Sequence, residues 1–384
     1  MAGRLVRLAV ALGLLLVLLG PGPVRAQGGL RVTDSSVGAA FPLGISFTLS
    51  AESDSQISDI RLHYRVERSS FVDVTSEVFV DFLPGTSVVA GWDWDMRRSG
   101  GLPPGTGISY WWTVTNANGE RVVSEPATFQ FDDLRFPWQS LTEGNVTLYW
   151  YQGDSSFAEE LMVAIQDSLD WLEEDTGAHL REPIELYVYG SAADLRGSMV
   201  FPQEWTGGVA FTRYGRIAIG IGPTNLTWGK KALAHELTHL VVHQMTFNPY
   251  GELPTWLEEG LAMRSEGPLG VDFAGYLQAA IEGDTLISTR SLSSPFSAFA
   301  DQSRLSYAES FSLVEFLVSS FGKDKMLELL ETFRTGNSYD GALMSVYGFD
   351  TDGLDRRWRE YVGAPARTLA TELWRLVPAV APGG

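Results

Sequence analysis

The sequence predicts a multidomain chain, an N-terminal all-β sandwich followed by an α+β domain, from three observations. Apolar and polar residues alternate with period two from Gly29 to about Asp133. Beyond that point apolar residues recur three and four apart, the spacing of buried helix faces. Within the second region Ala232–Leu240 reads A-L-A-H-E-L-T-H-L, two histidines four apart on one helical stretch.

Residues 1–26 are expected to be a signal peptide. Arg4 and Arg7 give a basic start, Leu8 to Leu19 an apolar run, and Val24-Arg25-Ala26 a small-residue cleavage site before Gln27. The run is short for a permanent membrane helix, though an uncleaved anchor is the other reading, and no second long apolar run follows. A secreted or otherwise extracytoplasmic protein is therefore expected, with no transmembrane segment once the signal is cleaved. The chain has no cysteine, so neither a lipid-bearing Cys after the signal nor a disulfide framework is available, and stability has to come from packed cores. The formal charge of −19 grows more negative still when Arg4, Arg7 and Arg25 leave with the signal, which argues against nucleic acid and anionic lipid as partners.

The sandwich is expected over 27–133. Ile45, Phe47 and Leu49 alternate with Ser46, Thr48 and Ser50, and Ile60, Leu62, Tyr64 and Val66 alternate with Arg61, His63, Arg65 and Glu67. Pro84-Gly85, Pro103-Pro104-Gly105 and Asn118-Gly119 supply turns, giving about seven strands for an antiparallel sandwich. In size and in its last hairpin this part resembles immunoglobulin-like and fibronectin type III modules, at the level of fold alone. His63, on the polar face of its strand, is expected at the surface. Trp92, Trp94, Trp111 and Trp112 would line a ligand surface or, as aromatics in sandwiches more often do, fill the core or a domain interface.

Asp132–Trp138 (D-D-L-R-F-P-W) marks the boundary, too aromatic for a flexible linker, so a packed joint is expected. The second domain, 134–384, opens with a strand at Val146 to Tyr151. A helix follows, started by a Ser156/Glu159 capping box, carrying Phe157, Leu161, Ile165, Leu169 and Leu172, and closed by Gly177. Ile184 to Tyr189 reads as a strand, and Gly208 to Thr212 with Arg216 to Ile221 as a hairpin. The next helix is expected to start with Thr227 as N-cap and to bury Leu233, Leu237, Leu240 and Val241. Pro254 suits the first turn of another helix, with Leu253, Leu257 and Leu261 inward. Helices then run over Tyr307 to Phe321, Lys325 to Phe333 and Leu354 to Val362, and the tail after Leu376 is expected to fray. His179, in the turn after Gly177, reads as a surface residue.

At about 3.6 residues per turn His235 and His239 leave the same helix face, where the two imidazoles can grip a metal ion. Glu236 follows the first His directly and can take a proton from a water on that metal, the logic of H-E-x-x-H. A catalytic zinc takes three protein ligands. His243 is one turn further on, displaced along and around the helix, so a core or supporting role suits it better. The extended H-E-x-x-H-x-x-G-x-x-H pattern is not met, because Val242 and Met245 occupy its Gly and last His positions. A carboxylate on the following helix remains, Glu258 or Glu259.

The run His235-Glu236-Leu237-Thr238-His239, followed by Pro254, Trp256, Leu257, Glu259, Gly260 and Ala262, resembles the gluzincin zinc metallopeptidases, and among them the peptidase MA-like proteins with P-x-W-L-x-E-G-x-A. The resemblance covers roughly Asp132 to Val362 and implies a zincin-like catalytic domain with one zinc ion held by His235, His239 and Glu259. Nineteen residues separate His239 from Glu259, one more than in the gluzincin aminopeptidases, and Glu258 would restore their count; the Trp-Leu-x-Glu-Gly register favours Glu259. The resemblance further implies Glu236 as general base, a tyrosine as oxyanion donor and a peptide or protein substrate bound as an added strand along the hairpin strand Arg216 to Ile221 before the helix. Tyr307 is the candidate donor, with Tyr250 and Tyr276 as alternatives and Arg304 behind them. Trp205 to His235 contains no Asp or Glu, whereas gluzincin aminopeptidases place a carboxylate upstream to hold a free amine, so internal cleavage is expected. The competing class is an extracellular binding or adhesion protein, its aromatic sandwich holding a partner and its zincin domain weakly active or inactive.

Overall fold

The computed structural model describes residues 29–203, 206–297 and 300–364. The signal segment and the tail after Leu376 lie outside the described residues.

Eight strands, one more than expected, build the N-terminal sandwich: β1 (Arg31–Ala40), β2 (Gly44–Glu52), β3 (Ile57–Val66), β4 (Ser76–Phe79), β5 (Ser87–Asp95), β6 (Thr106–Asn116), β7 (Arg121–Val123) and β8 (Ala127–Phe131). One sheet has the order β1-β2-β5 and the other β4-β3-β6-β7, with β8 also on β6. The alternating residues meet between them: Ile45, Phe47, Leu49, Ile60, Leu62 and Trp112 are each at most 1% exposed. Trp92 and Trp94 pack against Tyr64 at this core, with ring centroids 5.8 and 4.7 Å away. His63 departs from the surface position expected for it and is buried. Its strand lies between β4 and β6, so side chains of both neighbours flank it on its own face: the ring stacks on Trp111 at 5.4 Å and Nε2 lies 2.9 Å from Thr113 Oγ1.

The joint is packed. Asp133 accepts from Arg135 and, at 3.0 Å, from the Tyr189 hydroxyl, while its carbonyl accepts from Trp138 Nε1 at 2.7 Å. Phe136 stacks on Tyr151 at 4.1 Å. Arg216 donates to the Gly105 carbonyl at 2.9 Å, tying the second domain to the sandwich.

A third sheet follows, of β9 (Gln139–Glu143), β10 (Val146–Trp150), β11 (Ile184–Tyr189), β12 (Gly208–Phe211) and β13 (Arg216–Gly220), in the order β12-β13-β11-β10-β9. Its three central strands are parallel and its two edges antiparallel. β9, polar and mostly exposed, carries no alternation that sequence could register. Helix α1 (Ser155–Thr176) crosses between β10 and β11. Its cap is Asp154 rather than the Ser156/Glu159 box: Oδ1 accepts from the Phe157 backbone N–H at 3.1 Å and from Ser156 Oγ at 2.7 Å. An acid at that position also meets the positive end of the helix dipole. A short α2 (Ala192–Arg196) follows β11.

Helix α3 (Leu226–Thr246) carries the histidines. It starts behind Asn225, with Thr227 already inside its first turn and no side-chain cap, because a 3-10 turn at Pro223–Asn225 delivers the chain. Helix α4 (Thr255–Ser265) follows with Pro254 at its N-cap, one residue ahead of the expected position. The remainder is α5 (Val271–Glu282), α6 (Thr289–Leu292), α7 (Ala300–Phe321), α8 (Lys323–Arg334), α9 (Tyr339–Tyr347) and α10 (Thr351–Tyr361). Two apolar clusters hold α3 from opposite sides. Leu233, Leu237 and Leu240 join the sheet and α1, while Val241, Val242 and Met245 join Trp256, Leu257, Leu261 and the later helices. Among the described residues, no helix is long and apolar enough to cross a membrane.

Candidate metal centre

Because α3 is gripped on both sides, its remaining face is turned to α4 and β12. His235 and His239 stand one turn apart on it, ring centroids 4.9 Å apart. Across the gap, Glu259 Oε2 lies 3.5 Å from His235 Nε2 and 3.7 Å from His239 Nε2. One ligand atom from each of the three residues falls within 4.8 Å of the others. Donors about 2.0–2.1 Å from a tetrahedral ion stand about 3.4 Å apart, so the set fits a dication of zinc's size. Glu259 Oε2 is buried and has no hydrogen-bond partner, an acceptor aimed where a cation would bind.

The far nitrogens of both rings have carboxylates. Glu266 Oε1 is 2.7 Å from His235 Nδ1, and Glu258 Oε1 is 3.4 Å from His239 Nδ1. Such outer carboxylates fix ring orientation and leave Nε2 free to bind metal. Glu258 thus stands behind His239 while Glu259 faces both Nε2 atoms. Glu266 was not singled out by sequence; it lies two turns beyond Glu259 on the same helix face, a seven-residue spacing that could have disclosed it.

Two close approaches set this geometry. A Cβ on Gly260 would come within 2.4 Å of the Ser310 carbonyl oxygen and 2.6 Å of Val314 Cγ2, so the glycine lets α4 lie against α7 and brings Glu259 in. A Cβ on Gly208 would sit 2.9 Å from Glu236 Oε1. Edge strand β12 therefore lies directly beside Glu236, and the Ala210 backbone N–H is near enough to oppose the rise in its pKa. Arg264 anchors α4 from behind through a two-point pair with Asp175, 2.8 Å at each contact, and a second pair with Glu315.

The electrostatics favour positive charge. Burial alone would lower the His235 pKa, but Glu259 and Glu266 outweigh it and raise the value to about 10. His239 is likewise raised against burial, chiefly by Glu258. Burial pushes the Glu259 carboxyl up, yet His235 and His239 hold it below its ordinary range. Glu236 is raised, by burial first, with the histidines opposing.

Tyr307, on α7, has its phenol pushed up to about 12 by burial and by the charges of Glu259 and Glu236, which places it within the field of the centre. Its ring meets Phe296 edge-on at 5.2 Å. Tyr250 is 79% exposed. Tyr276 accepts from Arg304 at 2.9 Å beside α5. His243 stays out of the three-residue group; burial lowers its pKa, and its Nε2 is buried without a hydrogen-bond partner. His179 is exposed.

A family model described as Peptidase MA superfamily matches residues 164–364, a span that starts inside α1, later than the expected start at Asp132, and holds His235, Glu236, His239, Glu259 and Tyr307. No curated protein matches the chain. Among solved structures the chain is similar to catalytically inactive OgpA from Akkermansia muciniphila in complex with an O-glycopeptide, at 14% identity over 29% of this chain and 31% of that chain, with a TM-score of 0.21. It therefore spans less than a third of OgpA. It is also similar to the M1 zinc metallopeptidase from Deinococcus radiodurans, at 14% identity over 86% of this chain and 94% of that chain, with a TM-score of 0.33. The third fibronectin III domain of human KIAA0343 protein is similar at 13% identity over 33% of this chain and 98% of that one, with a TM-score of 0.21.

Proposed function

Because the chain belongs to the Peptidase MA superfamily, we propose that it is a secreted zinc-dependent endopeptidase of gluzincin type. His235, His239 and Glu259 hold the zinc and Glu236 is the general base. The observation that carries this reading is the convergence of Glu259 Oε2 on both Nε2 atoms, at 3.5 and 3.7 Å, with Glu236 beside an open sheet edge. Two imidazoles and a carboxylate suit zinc among the common metals. Bound there, zinc supplies Lewis acidity, making water nucleophilic near neutral pH and polarising the scissile carbonyl.

The chain's own groups do the rest. Glu236, beside Gly208 of β12, takes the proton of the attacking water and returns it to the leaving amine. Its raised pKa brings it nearer the working pH of such a shuttle. Tyr307, neutral at physiological pH, donates a hydrogen bond to the developing oxyanion. The expected strand, Arg216 to Ile221, is β13 and is paired on both sides by β12 and β11, so it has no free edge. β12 is the edge of the sheet, and a substrate backbone pairs with it as an added strand. Internal cleavage is supported by the lack of any Asp or Glu between Trp205 and His235 to hold a free amine.

The test is metal content and casein digestion for the mature protein, Glu236→Gln and Glu259→Gln. One zinc and cleavage in the wild type, zinc without cleavage in Glu236→Gln, and loss of zinc in Glu259→Gln are the expected results. A zinc-free wild type would sink the site, and a zinc-loaded protein that cuts nothing would shift the weight to a binding role. For secretion, N-terminal sequencing of exported protein should begin at Gln27.

A further inference from the structure

A cleft of about 950 Å³ lies where the sandwich meets the α3–α4 region. The β3–β4 connection of the sandwich, with Arg68 and Phe71, lines it together with Arg213, His243, Phe247 and Glu258. The connection is fastened at two points. The Ser69 backbone N–H donates to the Arg213 carbonyl at 2.6 Å, and Phe71 stacks on Phe247 with centroids 4.3 Å apart. Arg68 is thereby carried to the same side of the cleft as Arg213.

Both guanidinium groups are exposed, and neither has a carboxylate partner among the described residues. Glu258 turns to His239, whereas Glu252 is exposed, and both raise the Tyr339 pKa after burial has done so. The cleft therefore carries both signs, and His243 senses Glu258, Arg213 and Glu252 after burial.

β12 leads into this cleft. Ala210 is at Glu236, and Arg213 follows three residues later, just past the strand's end. At about 3.3 Å per residue, a chain paired with β12 would carry a group two or three residues from the cleaved bond to the arginines. We propose that the cleft continues the substrate site and that Arg68 and Arg213 bind a carboxylate of the substrate chain, an acidic side chain or a free C-terminus; this rests on the peptidase reading. Guanidinium groups bind carboxylates through paired, charge-assisted hydrogen bonds.

Binding is measured by fluorescence anisotropy on the full mature chain carrying Glu236→Gln, so that labelled peptides are not consumed. Three decapeptide sets are compared: acidic at central positions with an amidated C-terminus, neutral with a free C-terminus, and neutral with an amidated C-terminus. We expect one of the first two to bind about tenfold more tightly than the third, and which one identifies the source of the carboxylate. Adding Arg68→Ala and Arg213→Ala together should erase the difference, and Arg213→Lys, which keeps the charge, should retain part of it. Equal binding of all sets, no binding by any, or a preference that survives the double substitution overturns the proposal. Casein cleavage by wild type is scored in parallel: discrimination without cleavage removes the peptidase reading and leaves the carboxylate site standing, and cleavage without discrimination does the reverse.

Discussion

The sandwich interior and the gap between α3 and α4 are both withdrawn from water, and they are filled with opposite materials. Between the two N-terminal sheets lie Phe47, Leu49, Ile60 and Leu62, and the polar edges there are met: Trp112 Nε1 donates to Ser35 at 3.0 Å, and Asn116 to Ser53 at 3.0 Å. In the gap stand two imidazoles and several carboxylates, with Glu259 Oε2 and His239 Nδ1 lacking hydrogen bonds. Charges withdrawn from water oppose folding unless compensated. That the chain keeps them there, clamped by apolar clusters on both sides of α3, separates the residues that supply stability from those that supply chemistry. Substitutions in the two regions should then fail in different ways.

The largest effect is expected at Glu236. Glu236→Gln should lower kcat by about a thousandfold, roughly 4 kcal/mol of barrier, with zinc content unchanged. Burial pushes this carboxyl's pKa up, so its ionised form opposes folding, and the neutral amide should leave the melting temperature equal or higher. A marked fall in stability would show that Glu236 is structural and would break the comparison. Next comes Phe47→Ala in the sandwich, where the deleted ring leaves a cavity. A loss of about 3 to 4 kcal/mol in urea unfolding is expected, with zinc affinity and turnover per folded molecule retained. If zinc affinity fell in step, the two regions would be one cooperative unit.

How far each region could be read from sequence follows the same division. Period-two alternation disclosed the sandwich strands because one face of each is apolar, and H-E-x-x-H with the Trp-Leu-x-Glu-Gly run marked the residues that the fold gathers around Glu259. What escaped was made by neighbours. His63 looks polar-faced along its own strand, and only the flanking strands bury it. β9 carries too little inward apolar patterning to register. Ala210 and Arg264 act on the centre through contacts between elements that local spacing does not specify. The glycines at 208 and 260 are explained only by what lies against them.

Arg264 tests where the division blurs, since it is an ionic residue that serves the scaffold. Its side chain is 14% exposed and pairs with Asp175 and Glu315. Arg264→Ala leaves both acids without that partner, and because the pairs keep some solvent contact, a loss of about 2 to 3 kcal/mol is expected. Zinc should be held more weakly as α4 loosens, seen as a lower chelator concentration for half-removal. Arg264→Met, which restores bulk without charge, should recover part of the stability. Equal loss from both substitutions would mean that the ion pairs, rather than packing, hold the helix.

The smallest effect is a count of protons. With its pKa at about 10, His235 is protonated at pH 7, and His239 is displaced in the same direction. Zinc binds neutral imidazole, so loading the chelator-stripped chain at pH 7 should release at least one proton, from His235, and a further fraction from His239. Glu259, held below its ordinary range, is already ionised and contributes none. The sign follows: zinc affinity rises with pH across the neutral range, by about tenfold per unit for each proton displaced. Titration calorimetry in two buffers of different ionisation enthalpy measures the number directly. A value near zero would mean that the imidazoles are neutral before metal arrives and that Glu266 and Glu258 orient the rings without charging them. Glu266→Gln sharpens the result: it removes one of the two carboxylates raising His235, so the proton count should fall while the hydrogen bond that sets the ring can still form.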